Sequence, residues 1–265
     1  MLGAQQPRPP EPSRADSLLA QGRLAAAEAA LYAASDAKPR DPAARGALAA
    51  YLASRGRFPI ALVLFDEAQR FGAAASRVNL AREAIRPYTR PAGVGAEVTL
   101  PWRASRSVGL LGTVDARLRQ GGDAFAADID ANVTGLVAGR AMASRLGLRR
   151  GRNVEELWLG ERRLVDVAVR VDSTLGADEL RIGLDLLWSL EPLIDERAGT
   201  LTLGRRAVAV AGGEQIPWLL TFPGLQLVPR IGVAPLRIES AAGRALLRGR
   251  RWQIDTRQAT IRVEP

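Results

Sequence analysis

The 265 residues include no cysteine and no histidine, and Lys38 is the only lysine. The missing cysteines exclude disulfides and thiol nucleophiles. Without histidine, the Ser-His-Asp and Cys-His arrangements go too, and so does every common zinc site. No Gly-Lys-Ser/Thr is present, so there is no P-loop, and no Gly-x-Gly-x-x-Gly follows a strand-like run to hold a dinucleotide. No stretch approaches the ~20 uninterrupted apolar residues of a membrane span. Neither a cofactor nor a metal is expected, and no Asp-x-Asp-x-Asp-Gly loop supports calcium. Carboxylate chemistry is nearly all that remains.

What is present is a globular composition, 47% apolar and 25% charged. The net charge of +9 is almost wholly arginine. The arginines are scattered. Arg149, Arg150 and Arg152 form the densest group, then Arg248, Arg250 and Arg251. Nucleic-acid recognition asks for a basic stripe on one face with interleaved aromatics, so none is expected. Residues 1–13 read as a proline-rich, disordered tail. Met1 to Pro12 lacks the positive start and apolar run of a secretory leader. Leu2 to Gln6 could still be the remnant of one, which leaves the compartment open.

Residues 14–86 are alanine-rich with few β-branched residues, which favours helix. Gln21-Gly22-Arg23-Leu24 recurs 34 residues on as Arg55-Gly56-Arg57-Phe58. At the same spacing Leu18 maps to Leu52, Ala27 to Ala61 and Leu31 to Phe65. Pro39-Arg40-Asp41-Pro42 breaks the chain between the units and sets up Asp41 as an N-cap. This segment resembles about two tetratricopeptide repeats. Since such units need three or so to stand alone, it is expected to pack on the domain that follows. It would serve either as a partner-binding groove or as a helical brace, and both readings stay open. Residues 87–95 form a linker.

From residue 96 the pattern shifts towards period two. Strands are expected at Glu97–Leu100, Gly112–Leu118, Ala124–Ile129, Leu136–Ala138, Leu157–Leu159, Leu164–Val171 and Leu201–Leu203. Gly121-Gly122-Asp123 is expected as a hairpin turn. A short helix over Ala141–Leu146 is closed by Gly147, and Asp185–Leu190 gives a helical turn or two. The run Phe125 to Val137 (FAADIDANVTGLV) is followed by Ser144-Arg145-Leu146-Gly147-Leu148. Then come Ile182-Gly183-Leu184-Asp185-Leu186-Leu187 and a closing pair over 193–203. In this order and spacing residues 96–205 resemble a bacterial retropepsin-like aspartic protease domain. The resemblance implies an acid-protease barrel, and it implies that Asp130 is the catalytic aspartate of an Asp-Thr-Gly-like turn made of Ala131, Asn132, Val133, Thr134 and Gly135. It also makes Ile182, Gly183 and Asp185 the second family motif.

Three departures accompany it. The bracing threonine is Ala131, and the following glycine is Asn132. Only Arg149–Glu156 lie between Leu148 and the next expected strand, hardly room for a substrate-covering flap, and their arginines are expected to be exposed. The mechanism needs a second carboxylate to share a proton, and residues 206–265 hold no second Asp-Thr-Gly. Asp128, two residues before Asp130 and so on the same strand face, is one candidate. A second copy of Asp130 in a homodimer is the other.

Residues 206–265 read as a further small β segment, a candidate reduced second lobe. Trp252 to Arg257 echo Pro192 to Arg197, 60 residues earlier. The fold class expected is therefore α+β. Helical hairpins precede a mainly-β retropepsin-like unit and a β tail. The function expected is a degenerate protease-like protein that holds a peptide or protein partner. The alternative is an active aspartic endopeptidase pairing Asp130 across a homodimer. A bacterial protein is implied, periplasmic if a leader has been removed and otherwise cytoplasmic.

Overall fold

The computed structural model describes residues 13–89, 93, 95–105, 107, 109–204, 213–222 and 224–264. Within them the chain is mixed α and β, with helices first and a mainly-β region after.

Five helices open the chain: α1 (Arg14–Ala20), α2 (Leu24–Ala37), α3 (Pro42–Ser54), α4 (Phe58–Arg70) and α5 (Ala75–Ile85). Their starts follow the sequence. Ser13 and Asp16 form a reciprocal capping box on α1. Asp41 caps α3, accepting from the Ala43 N–H at 2.9 Å, with Pro42 in the first turn where its missing N–H costs nothing. Gly22 and Gly56 occupy the equivalent α1–α2 and α3–α4 turns in the left-handed region (φ +66° and +71°). The segment thus carries one helix more than two repeats supply. A 3-10 turn, Arg86–Thr89, follows.

The β region forms two sheets. Its strands are β1 (Val98–Pro101), β2 (Arg103–Ala104), β3 (Leu110–Ala116), β4 (Phe125–Asp130), β5 (Leu136–Ala138), β6 (Asn153–Leu159), β7 (Arg162–Val171), β8 (Leu180–Gly183), β9 (Leu193–Asp195), β10 (Thr200–Leu203), β11 (Glu214–Leu220), β12 (Leu225–Leu227), β13 (Leu236–Arg237), β14 (Arg251–Asp255) and β15 (Thr260–Glu264). Three helices interrupt them: α6 (Arg140–Arg145), α7 (Leu184–Trp188) and α8 (Ala241–Leu247). The seven-stranded sheet runs β2-β3-β4-β8-β5-β7-β6, and the eight-stranded sheet runs β1-β10-β9-β14-β15-β11-β12-β13.

Several expectations need correction. No closed barrel forms among the described residues; a lone bridge, Arg117 with Trp158, brings β6 back towards the end of β3. Residues 117–124 are a longer connection between β3 and β4, not a tight turn on Gly121-Gly122-Asp123. The C-terminal segment is not purely β, since Ser240 caps α8 by accepting from the Gly243 N–H at 3.0 Å.

Six strands of the larger sheet, β1-β10-β9-β14-β15-β11, read the same from either end. Pro101 faces Thr200 as Pro217 faces Thr260, and Asp195 faces Thr200 as Asp255 faces Thr260. The Trp102 N–H reaches Gly199 O at 2.8 Å, and the Trp218 N–H reaches Ala259 O at 3.1 Å. Asp195 Oδ1 accepts from the N–H groups of Arg197 and Ala198. Asp255 Oδ1 does the same with Arg257 and Gln258. At the centre β9 and β14 run antiparallel, Leu193 opposite Gln253. The sheet therefore has an internal twofold between β9 and β14. Leu100-Pro101-Trp102 and Ile216-Pro217-Trp218 are its outer marks.

Helices and sheets share one apolar core. Trp218, fully buried, stacks edge-on against Trp188 (centroids 4.7 Å), and Tyr88 meets both Trp188 and Phe222 edge-on at 5.6 Å. The Arg55 guanidinium lies 5.7 Å above the Trp218 ring and donates to Trp218 O. Gly56 is glycine for steric reasons as well, since a Cβ there would sit 2.9 Å from that ring. Gly22 meets Val228 and Val233 O in the same way, and the Gly232 N–H donates to Gln21 O at 2.8 Å. Both inter-helix turns thus dock on the C-terminal part of the β region.

Candidate functional site

The site is built at the end of β4. β8 inserts between β4 and β5, parallel to the first and antiparallel to the second, with Ile182 opposite both Ile129 and Leu136. This places Ala131 to Gly135 as a turn that leaves β4 and returns on the far side of β8. Ile129, Leu136 and Ile182 are fully buried and fix the depth of that turn.

Two glycines let the turn close. Gly135 has φ +69°, and a Cβ there would lie 2.6 Å from Ala168 O. A Cβ on Gly183 would lie 2.2 Å from Asp185 Oδ1 and 2.6 Å from Val133 O. The Gly183 N–H donates to Gly135 O at 2.7 Å. The Gly135 N–H in turn donates to both carboxylate oxygens of buried Asp185, at 2.9 and 3.1 Å. Asp185 also sits in the first turn of α7, where a negative charge is favourable. Asp130, Asn132, Gly135, Ile182, Gly183 and Asp185 are therefore assembled in one place.

Asp130 is 2% exposed. Its Oδ1 accepts from the Asn132 backbone N–H at 2.8 Å, and its Oδ2 is ion-paired with Arg181 Nη1 at 2.8 Å. Arg181 also holds Glu179 at 2.8 Å. Burial works against the Arg181 charge, but its hydrogen bonds to Glu179 and Asp130 outweigh this and leave the guanidinium pKa above its ordinary value. Asp128 shares the strand face but has another partner, accepting from Thr113 Oγ1 at 2.6 Å. The Asn132 side-chain oxygen accepts from Arg237, which also pairs with buried Glu239. Ala131 is fully buried and offers no hydroxyl to brace the turn. Among the described residues no cluster of three acidic side chains could hold a metal ion.

Arg149, Arg150 and Arg152 are exposed as expected, but the link after Leu148 ends at residue 152: β6 starts at Asn153, ahead of the strand expected at Leu157, and pairs antiparallel with β7. Sequence reasoning missed Arg181, Arg237 and Glu239. Arg181 had a signal, a lone cation between Leu180 and Ile182 in an otherwise apolar strand that leads into Gly183. Arg237 and Glu239 had none, because their importance depends on how the C-terminal segment folds back.

Comparisons with protein families, with curated proteins and with solved structures find no match to this chain.

Proposed function

We propose that this chain is a retropepsin-like aspartic-protease relative that has lost catalysis, carries tetratricopeptide-like helices as a brace, and binds a peptide or protein partner through its β region. The observation that carries the loss of catalysis is Arg181 on Asp130. A protease of this class needs a second carboxylate there to share a proton. Asp130 has a cation instead, in a site where breaking such a pair is costly.

The family reading is supported by β8 wedged between β4 and β5, and by the Gly135–Gly183–Asp185 contacts behind the turn. The brace reading is supported by the docking of the Gly22 and Gly56 turns on the C-terminal part of the β region. A homodimer pairing two copies of Asp130 is disfavoured, because Asp130 is buried and Asn132 beside it is held by Arg237 of the same chain.

The test is fluorescence anisotropy of labelled, denatured casein titrated with the protein at neutral pH. Saturable binding of casein that keeps its full mass is expected. Absence of binding removes the partner half of the proposal.

A further inference from the structure

The internal twofold extends beyond the central strands, and following it identifies the counterpart of Asp130. Arg103 faces Thr113 and Ala104 faces Gly112 in the first half; Leu219 faces Gln226 and Leu220 faces Leu225 in the second. The intervening loops close with the same hydrogen bond, Ser105 N–H to Leu111 O at 3.2 Å and Thr221 N–H to Gly224 O at 3.1 Å. One strand further, Thr113 faces Asp128 and Val114 faces Ala127. Correspondingly, Gln226 faces Arg237 and Leu227 faces Leu236. Register therefore aligns Asp128-Ile129-Asp130 with Arg237-Ile238-Glu239. Burial agrees: Ile129 and Ile238 are fully buried, and Asp130 and Glu239 are the two buried acids that follow them.

The halves diverge immediately afterwards. After Asp130 the chain makes the 131–135 turn, β5, α6, β6, β7 and β8 before it enters α7. After Glu239 it passes at once through Ser240 into α8. The second half thus lacks the whole turn and keeps the acid.

Each acid has its own arginine, Asp130 with Arg181 and Glu239 with Arg237. Arg237 differs from Arg181 in two ways. It is more than half exposed, and it spans the seam between the halves by donating to the Asn132 side chain. Behind it, Glu239 Oε2 is buried without a hydrogen-bond partner among the described residues. Exposed side chains change rotamer within nanoseconds, so Arg237 can release Asn132 by a side-chain movement alone.

We infer that Glu239 is the twofold counterpart of Asp130 and that Arg237 is a latch that closes the seam between the two acids against an incoming extended peptide. The inference rests on the peptide-binding reading above. An extended backbone carries carbonyl acceptors that would replace Asn132 as the partner of Arg237, and binding must first break that contact.

The experiment is the same casein anisotropy titration with wild type, Arg237→Ala and Asn132→Ala, each checked for folding by circular dichroism. Arg237→Ala also strips Glu239 of its cation. Asn132→Ala opens the latch while that pair remains, so it decides the matter even where the arginine variant fails to fold. Asn132→Ala is expected to bind about tenfold more tightly than wild type, the scale of one hydrogen bond to a charged group. Unchanged or weaker binding by Asn132→Ala, with wild type still binding, overturns the latch and leaves the peptide-binding reading standing. Loss of binding in every form, wild type included, overturns that reading itself.

Discussion

Replacing Trp218 with alanine should loosen the helices and the sheets together. The side chain is fully buried between the Gly56 turn and Trp188. A ring of this size removes roughly 150–250 Å2 from water, or about 4–6 kcal/mol at about 25 cal/mol/Å2. The indole N–H has no acceptor among the described residues, and deleting an unsatisfied donor returns about 1 kcal/mol. Loss of the Arg55 cation–π contact adds about 1 kcal/mol. The expected net cost is about 5 kcal/mol, at the upper end of the usual range for removing a buried tryptophan. For a chain of this size that lowers Tm by roughly 10–20 °C. The assay is denaturant unfolding followed in parallel by far-UV circular dichroism, dominated by the helices, and by fluorescence of the remaining tryptophans, all in the β region. Both signals should move together to lower denaturant with an unchanged slope. A cost below about 1 kcal/mol, or a helical transition that stays in place while fluorescence shifts, would refute the single-core argument.

Other outcomes follow from the same contacts. Gly56→Ala combines a left-handed φ with a 2.9 Å approach to the Trp218 ring; it should cost about 2–4 kcal/mol, readable as a lower denaturant midpoint. Arg244→Ala should cost about 3 kcal/mol in the same assay, since it strips Leu111 O and the buried Glu196 carboxylate of their cation. Tyr51 and Tyr88 have pKa values raised well above the ordinary 10, chiefly by burial, then by Glu28 for the first and Asp185 for the second. The raised folded value means their stabilising contribution is complete below pH 10. It falls as pH climbs further, because the unfolded chain loses those protons first. Phenolate absorbance from these two rings should therefore appear only with alkaline unfolding. Its appearance in the folded protein near pH 10 would contradict their burial.

The sequence revealed the local elements better than the closures. Helix was legible from alanine content and from Asp41-Pro42, yet α5 was not counted as a separate helix, because Ala74 gives no side-chain cap to mark its start. The echo of Pro192–Arg197 in Trp252–Arg257 was visible, since a hairpin's aspartate and turn residues are local. The full twofold was not, because Leu100-Pro101-Trp102 and Ile216-Pro217-Trp218 correspond only once their pairing with β10 and β15 is known. For the same reason Glu239 was not recognised as the position equivalent by register to Asp130. A single glutamate before Ser240 resembles an ordinary helix start, and only sheet register aligns it with the other acid. The Asp130 turn was legible because its residues stand in two short runs, Asp130 to Gly135 and Ile182 to Asp185. Arg181, which changes its chemistry, lies 51 residues away from Asp130.

The most direct test of the central claim is to incubate wild type and Asp130→Ala with denatured casein from pH 3 to 8, where a shared-proton aspartate pair would operate, and to follow fragments by mass spectrometry. The arginine-paired Asp130 predicts intact casein from both proteins at every pH. Cleavage by wild type that disappears in Asp130→Ala would contradict it and make the chain a working aspartic protease.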